Sequence, residues 1–257
     1  MIDALKSSLP ADFAAKILRV SSRRRKKLGA GVRRLVDRAY YRTLFGLKIT
    51  HAPALTRKLA ALERQQGRGD APVPREIWEA QYHDGQWAFL EELEQVTRYS
   101  IIAGYIHALA RKGALLDVGC GEGILLDRLG ARDFSKYVGI DISQTAVELA
   151  RKKRSGRSTF FQASAEHFVP AESFDAIIFN EVLYYFADPL AVAQRYSAWL
   201  RPRGLFISSL YMDSDRARAT ARLLKRAFQT IDEVKVTSNA NTWQISAFAP
   251  SRADPEI

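Results

Sequence analysis

The 257-residue sequence predicts a doubly wound α/β fold: a seven-stranded, mostly parallel sheet ending in an antiparallel hairpin, preceded by a basic helical extension. Three observations carry that expectation. Short apolar runs alternate with helical patterns from Ala114 to Phe228, which implies right-handed crossovers and helices on both faces of a parallel sheet. The first of these runs ends in a glycine loop, Gly119-Cys120-Gly121-Glu122-Gly123, placed between a strand and a helix N-terminus. The last two runs, Ile231–Thr237 and Thr242–Phe248, are separated only by Ser238–Asn241 and read as a hairpin.

The N-terminal part differs from the rest in charge. Met1–Lys58 holds fifteen Lys or Arg against three acids, a net +12, so the remainder of a chain of net charge +11 sums to −1. Pro10–Val20 and Leu28–Leu47 read as helices, the second with Val32, Leu35, Val36, Ala39, Tyr40 and Phe45 on one face. Between them Arg23–Lys27 is a run of five cations. Such a segment fits a solvated tail, a helix packed on the main domain, an anionic membrane surface or nucleic-acid phosphates. Residues 1–63 are therefore assigned to the extension, 64–76 (centred on the polar, Gly- and Pro-containing Arg64–Pro74) to a linker, and 77–257 to the main domain.

From Ile77 a helical pattern runs through Trp78, Tyr82, Trp87, Leu90, Leu93, Tyr99, Ile102, Tyr105, Ile106 and Leu109, ending near Lys112–Gly113. Strands are expected at Ala114–Val118, Tyr137–Ile142, Thr159–Gln162, Asp175–Phe179 and, after an Arg201–Gly204 turn, Gly204–Tyr211. The intervening helices are Ile124–Leu129, Gln144–Lys153, Pro189–Leu200 and Arg216–Phe228. A single cysteine, Cys120, excludes an intrachain disulfide and any paired-cysteine metal spacing. No apolar run reaches the roughly 20 residues that span a bilayer, and no secretory signal is visible, so a cytoplasmic protein is expected.

In a doubly wound sheet, ligands sit outside the carboxyl ends of the strands, beside the first strand. The glycine loop lies there, and Gly119, Gly121 and Gly123 permit backbone conformations that a Cβ would forbid. Asp117 stands two residues before the loop and Glu122 within it. These carboxylates would repel a pyrophosphate and attract an ammonium or sulfonium. Asp141, eighteen residues after Gly123, ends the second strand, where a carboxylate can accept both hydroxyls of a ribose. Ile142 follows it, and Ser164, Ala165 and Glu166 can offer backbone N–H groups to an adenine edge. Asn180 and Glu181 fall beside the glycine loop. Ribose, adenine and a zwitterionic tail thus find partners along one edge, and S-adenosyl-L-methionine has those parts.

Leu116–Gly123, Gly139-Ile140-Asp141, and Phe174-Asp175 through Asp188-Pro189 resemble a class I S-adenosylmethionine-dependent methyltransferase with a Rossmann-like fold. The resemblance runs from about Gly113 to Phe248. It implies that Gly119, Gly121 and Gly123 pass under the methionine tail and that Asp141 holds the ribose. Asn180–Phe186 (NEVLYYF) and the Trp87…Arg98-Tyr99 segment are similar to nodulation N-methyltransferases and related bacterial glycan methyltransferases. One departure is Ser164, where many members of the family carry Asp.

Several residues admit two readings. Asp117 serves a cofactor or a turn, and Asp141 a ribose or an exposed strand end. Arg98 either binds the methionine carboxylate from the preceding helix or is an ordinary surface arginine. Tyr82 and Trp87 belong to a core or a lid. Cys120 is read as a small loop residue. Tyr184, Tyr185 and His83 are the candidates for the acceptor side, His83 as a titrating base. Methyl transfer from a sulfonium needs chiefly orientation, with a general base when the acceptor is a hydroxyl. Methylation through a cysteine adduct is excluded, because the single Cys lies in the glycine loop. Three functions stay open: a methyltransferase for a small molecule or saccharide, an RNA methyltransferase guided by the basic segment, and a non-catalytic binding module.

Overall fold

A computed structural model of the protein describes residues 73–250 apart from 131, 154–155, 213 and 239–240. The chain divides after Ala71, and the unit from Pro72 onward is the one considered below. The basic extension, its expected helices and most of the linker lie outside the described residues.

Helix α1 (Arg75–His83) is followed by a 3-10 turn (Ala88–Glu91) and helix α2 (Leu93–Leu109). The sheet strands are β1 (Gly113–Val118), β2 (Phe134–Asp141), β3 (Ser158–Gln162), β4 (Phe174–Asn180), β5 (Leu200–Tyr211), β6 (Phe228–Ser238) and β7 (Asn241–Pro250). Between them lie α3 (Ile124–Asp127), α4 (Gln144–Lys152), a 3-10 turn (Leu183–Tyr185), α5 (Pro189–Ser197) and α6 (Asp215–Ala227). The seven strands form one sheet in the order β3-β2-β1-β4-β5-β7-β6. β1 to β5 pair in parallel, and β7 is antiparallel to both β5 and β6. The expected doubly wound sheet with its terminal hairpin is therefore the observed one.

Alternate strand residues feed opposite faces, as a period of two requires. Leu115, Tyr137, Ala176, Ile178 and Ile207 pack with Tyr99, Ile102 and Ile106 of α2 and Val147 and Ala150 of α4. Leu116, Val138, Ile177, Phe179 and Phe206 pack with Val192 and Tyr196 of α5 and Ala221 and Leu224 of α6. Ser143, Asp188 and Ser214 cap α4, α5 and α6 by accepting from the N–H three residues on, which satisfies donors the helices leave open.

Four local expectations are corrected. The helical pattern from Ile77 is broken, because Gly85 at φ +65° lets Gln86 N–H reach Gln81 O and Gly85 N–H reach Tyr82 O, closing α1. Leu93 then opens α2 and is 85% exposed, so it leaves the apolar stripe. Lys112, at φ +61°, makes the left-handed turn expected of Gly113. Gly113 is needed elsewhere: a Cβ there would lie 2.6 Å from the Asp175 Cβ. Finally, the Arg201–Gly204 turn lies within β5, where Arg203 at φ +69° and a register shift opposite Phe174/Ala176 mark a bulge. Helix α3 also stops at Asp127, two residues before the expected Leu129.

Candidate cofactor and acceptor site

The carboxyl ends of β1, β2 and β4 converge on the glycine loop. Gly119, Gly121 and Gly123 have φ of +74°, +53° and +75°, a region that L side chains rarely enter. Two of them are also closely overlain. A Cβ on Gly119 would lie 2.7 Å from Val182 Cγ2, and one on Gly121 would lie 2.8 Å from the Tyr82 hydroxyl. The loop's first two N–H groups, of Gly119 and Cys120, both donate to Ile140 O, which ties the loop to β2.

Two buried carboxylates flank this loop. Asp117 is 1% exposed and accepts the Tyr137 hydroxyl on Oδ2, while its Oδ1 has no partner. Burial pushes its pKa up to about 7 against the pull of Tyr137, with Asp141 adding to the rise. Asp141 accepts Gly121 N–H and Ser143 N–H, each at 2.9 Å. Burial raises its pKa to about 6, opposed by those N–H groups. Glu122 is raised too, mainly by burial. An unpartnered buried carboxylate oxygen beside a loop this short of Cβ atoms suits a cation and disfavours a pyrophosphate.

Arg98 approaches from α2. It is 1% exposed, so the surface-arginine alternative is not the one realised. Nε and Nη2 donate to Gln95 Oε1 at 3.2 and 2.9 Å, Nη1 donates to Asn180 Oδ1, and the guanidinium lies 4.2 Å from the Tyr99 ring centroid. No carboxylate pairs with it among the described residues, and one N–H on each terminal nitrogen is left for another acceptor. The residues available for a zwitterion are thus two carboxylates and one guanidinium along a single edge.

The other sequence-expected residues separate into groups. Ile142 is partly exposed next to Asp141. The turn after β3 is tied to α5: Ala165 O accepts Arg195 Nη2 and the Tyr196 hydroxyl, and Ser164 Oγ takes the Glu166 N–H at 3.3 Å. That engages the Glu166 amide and leaves the Ala165 amide. The Cys120 side chain is buried in the core cluster that holds Phe160 and Tyr137, its thiol donates to Gly121 O at 3.6 Å, and burial raises its pKa well above the usual 9. Glu181, expected with the cofactor ligands, accepts the Tyr184 hydroxyl on one carboxylate oxygen and the Ser209 hydroxyl on the other. His83 is 81% exposed beside Asp84 and stands apart from these groups.

Sequence reasoning missed several participants. Glu79 of α1 accepts Gln144 N–H at 2.9 Å, Thr145 N–H at 3.0 Å and the Thr145 hydroxyl at 2.5 Å, docking α1 on the first turn of α4. That places Tyr82 over the glycine loop. Trp78 stacks on Trp87 at 5.7 Å and meets Tyr185 edge-on at 4.8 Å, Tyr82 lies 5.8 Å from Trp87, and Tyr184 lies 4.6 Å from Tyr185. These rings link α1 to the turn after β4. Tyr137, the partner of Asp117, had a signal: it shares the period-two face of Gly139 and Asp141. Glu79 had none, because its partners are sixty-five residues away or more.

Comparison with known proteins bears on the family and the fold. Residues 91–249 match a family described as a methyltransferase domain. A ubiquinone biosynthesis O-methyltransferase of Actinobacillus pleuropneumoniae is 40% identical over 106 residues, 37% of this chain and 45% of that protein. One from Idiomarina loihiensis is 30% identical over 133 residues, 49% of this chain and 54% of that protein. The chain thus spans about half the length of the curated relatives it matches. In fold it is similar to the N-methyltransferase NodS from Bradyrhizobium japonicum in complex with S-adenosyl-L-homocysteine, with TM-score 0.59 at 20% identity over 71% of this chain and 98% of that one. It is likewise similar to magnesium protoporphyrin IX methyltransferase from Synechocystis with bound S-adenosylmethionine, with TM-score 0.57 at 17% identity over 70% of this chain and 99% of that one. The chain belongs to the methyltransferase-domain family and has the class I S-adenosylmethionine-dependent methyltransferase fold.

Proposed function

We propose that the protein is an enzyme that moves a methyl group from S-adenosyl-L-methionine to an oxygen of a small, flat acceptor. The observation that carries the cofactor half is the unpartnered Oδ1 of buried Asp117 beside three left-handed glycines. When bound, S-adenosylmethionine supplies an electrophilic methyl group on a sulfonium. Asp117 would hold its ammonium, Arg98 its carboxylate, and Asp141 the ribose hydroxyls. Ile142 and the Ala165 N–H are placed for the adenine. The chain's own contribution is orientation, with Tyr82 of α1 laid over the glycine loop.

The acceptor half rests on the rings of Trp78, Trp87, Tyr184 and Tyr185, which offer flat apolar surfaces next to hydroxyls. The curated relatives named O-methyltransferases support oxygen over nitrogen. A saccharide acceptor draws on the resemblance of Asn180–Phe186 to nodulation enzymes, and the same rings would stack on a sugar. An RNA acceptor, or an anionic membrane surface as the place of work, is favoured by the +12 of Met1–Lys58. Among the described residues no helix is long and apolar enough to cross a membrane. The deciding experiment is transfer of labelled methyl from the cofactor to a panel of phenols, sugars, amines and RNA. Labelled phenols support the proposal, labelled RNA or sugar replaces its acceptor half, and cofactor binding without transfer to any acceptor points to a binding module. Sedimentation with anionic against neutral liposomes tests the membrane arm.

A further inference from the structure

One carboxylate near the acceptor rings is left unused by cofactor binding. Glu181 follows β4 at φ +60°, a left-handed backbone rarely adopted by a residue with a long side chain. Strain of that kind persists only where surrounding contacts hold it and concentrates at functional sites. Here the Glu181 N–H donates to Ser209 O at 3.0 Å, so the β5 backbone holds the turn. The Ser209 hydroxyl donates to Oε1 at 2.5 Å and the Tyr184 hydroxyl donates to Oε2 at 2.7 Å. Ser209 is fully buried and Glu181 partly so. A chain of hydroxyl, carboxylate and hydroxyl thus runs from the end of β5 to the Tyr184 ring, which lies tilted against Tyr185.

We propose that Tyr184 is a catalytic residue that takes the proton of an acceptor hydroxyl, and that Glu181 is the positioning residue that receives Tyr184's own proton. The inference rests on the O-methyltransferase reading. Tyr184 Oη accepts the acceptor's proton as its own passes to Glu181 Oε2, which becomes a neutral acid. The electron pair released from the acceptor O–H forms the bond to the methyl carbon, and the pair of the broken carbon–sulfur bond stays on sulfur. Glu181 returns its proton to solvent after the product leaves. A relay is needed because Tyr184 is no standing base: burial and the Glu181 carboxylate push its phenol well above the usual 10. The other titratable groups held against this turn are Tyr185 of the same turn and Arg216 of α6, whose guanidinium is bonded to Phe186 O. Arg98 of α2 reaches the preceding residue through Asn180.

The test uses two probe acceptors, catechol and the more acidic 4-nitrocatechol, which is already ionised at mildly alkaline pH and needs no base. The wild type is expected to methylate both. Glu181→Gln and Tyr184→Phe are each expected to lower kcat on catechol by roughly a hundredfold, the contribution of general-base catalysis. On 4-nitrocatechol the loss should shrink to a few-fold, with S-adenosylhomocysteine affinity unchanged. Equal loss on both probes means a structural clamp and overturns the relay, as does no loss on catechol. Should Glu181→Gln fail to fold, Tyr184→Phe carries the same comparison and leaves the Glu181 turn intact. A wild type that binds S-adenosylhomocysteine but methylates neither probe overturns the relay alone. One that binds no S-adenosylhomocysteine overturns the methyltransferase reading itself.

Discussion

The two halves of the site are built in different ways. On the β1–β2 side the parts are backbone conformation and strand-end acids: three left-handed glycines, Asp117 and Asp141. On the β4–β5 side the parts are side chains drawn from α1, the loop before α2 and the turn after β4, joined by ring contacts and by the Glu181 hydrogen bonds. The first half is fixed by spacing within some thirty residues of chain, the second by packing between segments a hundred residues apart. An edge that depends on backbone, here the one proposed for the cofactor, tolerates little change, whereas a wall made of side chains, here the one proposed for the acceptor, can be altered residue by residue. That division lets one fold serve many acceptors.

Changes on the first side should therefore be the most costly. Asp141→Ala removes the carboxylate proposed for the ribose along with the acceptor for Gly121 and Ser143 N–H. Hydrogen bonds to charged groups contribute about 1.5–3 kcal/mol each, so S-adenosylhomocysteine affinity should fall about a hundredfold by calorimetry. An unchanged affinity would remove Asp141 from the site. Gly139→Ala tests the backbone half through stability. Its Cβ would lie 2.5 Å from the Phe160 ring and 2.9 Å from Cys120 Sγ, inside a closed core. Overpacking costs about 1–3 kcal/mol, and a fall of several degrees in thermal midpoint is expected.

A third prediction uses charge. Asp117 and Asp141 are held near 7 and 6 in the folded chain, against 3.8 for the free carboxyl. With the folded values raised, the native state binds more protons than the unfolded one between about pH 4 and 7, so stability of the ligand-free protein should decline as pH rises through that window. A cationic cofactor favours the ionised carboxylates. Its affinity should therefore rise about tenfold from pH 5.5 to 8, with proton release visible as a buffer-dependent binding enthalpy. A flat profile would place the cationic tail away from these acids.

The smallest effect belongs to the second side. Glu79→Ala removes the acceptor for Gln144 N–H, Thr145 N–H and the Thr145 hydroxyl. Losing a helix N-terminal acceptor costs about 1 kcal/mol, and the amides of α1 and the first turn of α4 should exchange faster while the sheet is unaffected. Burial pushes the Glu79 carboxyl up, but the Thr145 and Gln144 bonds outweigh it and leave its pKa below the usual 4.5. The docking contribution is thus present above the unfolded pKa and lost as pH falls through the folded one.

This division also explains what the sequence made legible. The glycine loop, Asp117 and Asp141 sit at strand ends whose positions follow from alternating apolar runs, so the edge proposed for the cofactor was readable together with the sheet. Arg98 was readable as a candidate, but its burial against Gln95 and Asn180 was not, because it depends on α2 crossing the β4 end. Leu93 and Lys112 were misjudged where a cap and a close backbone approach overrode periodicity. Glu79 and Ser209 left no local trace, since each acts on a residue brought near only by the completed fold, whereas Tyr184, the other partner of Glu181, is three residues along in the same turn. The readings that depend on Met1–Lys58 concern residues outside those described.

The most direct measurement is calorimetric titration of the purified chain with S-adenosylhomocysteine and, separately, with NAD. Saturable binding of S-adenosylhomocysteine at micromolar concentration, weakened by Asp117→Asn and Asp141→Ala and with no heat from NAD, is the expected result. Preferential binding of NAD, or S-adenosylhomocysteine binding indifferent to both substitutions, would contradict the assignment of this edge to a sulfonium cofactor.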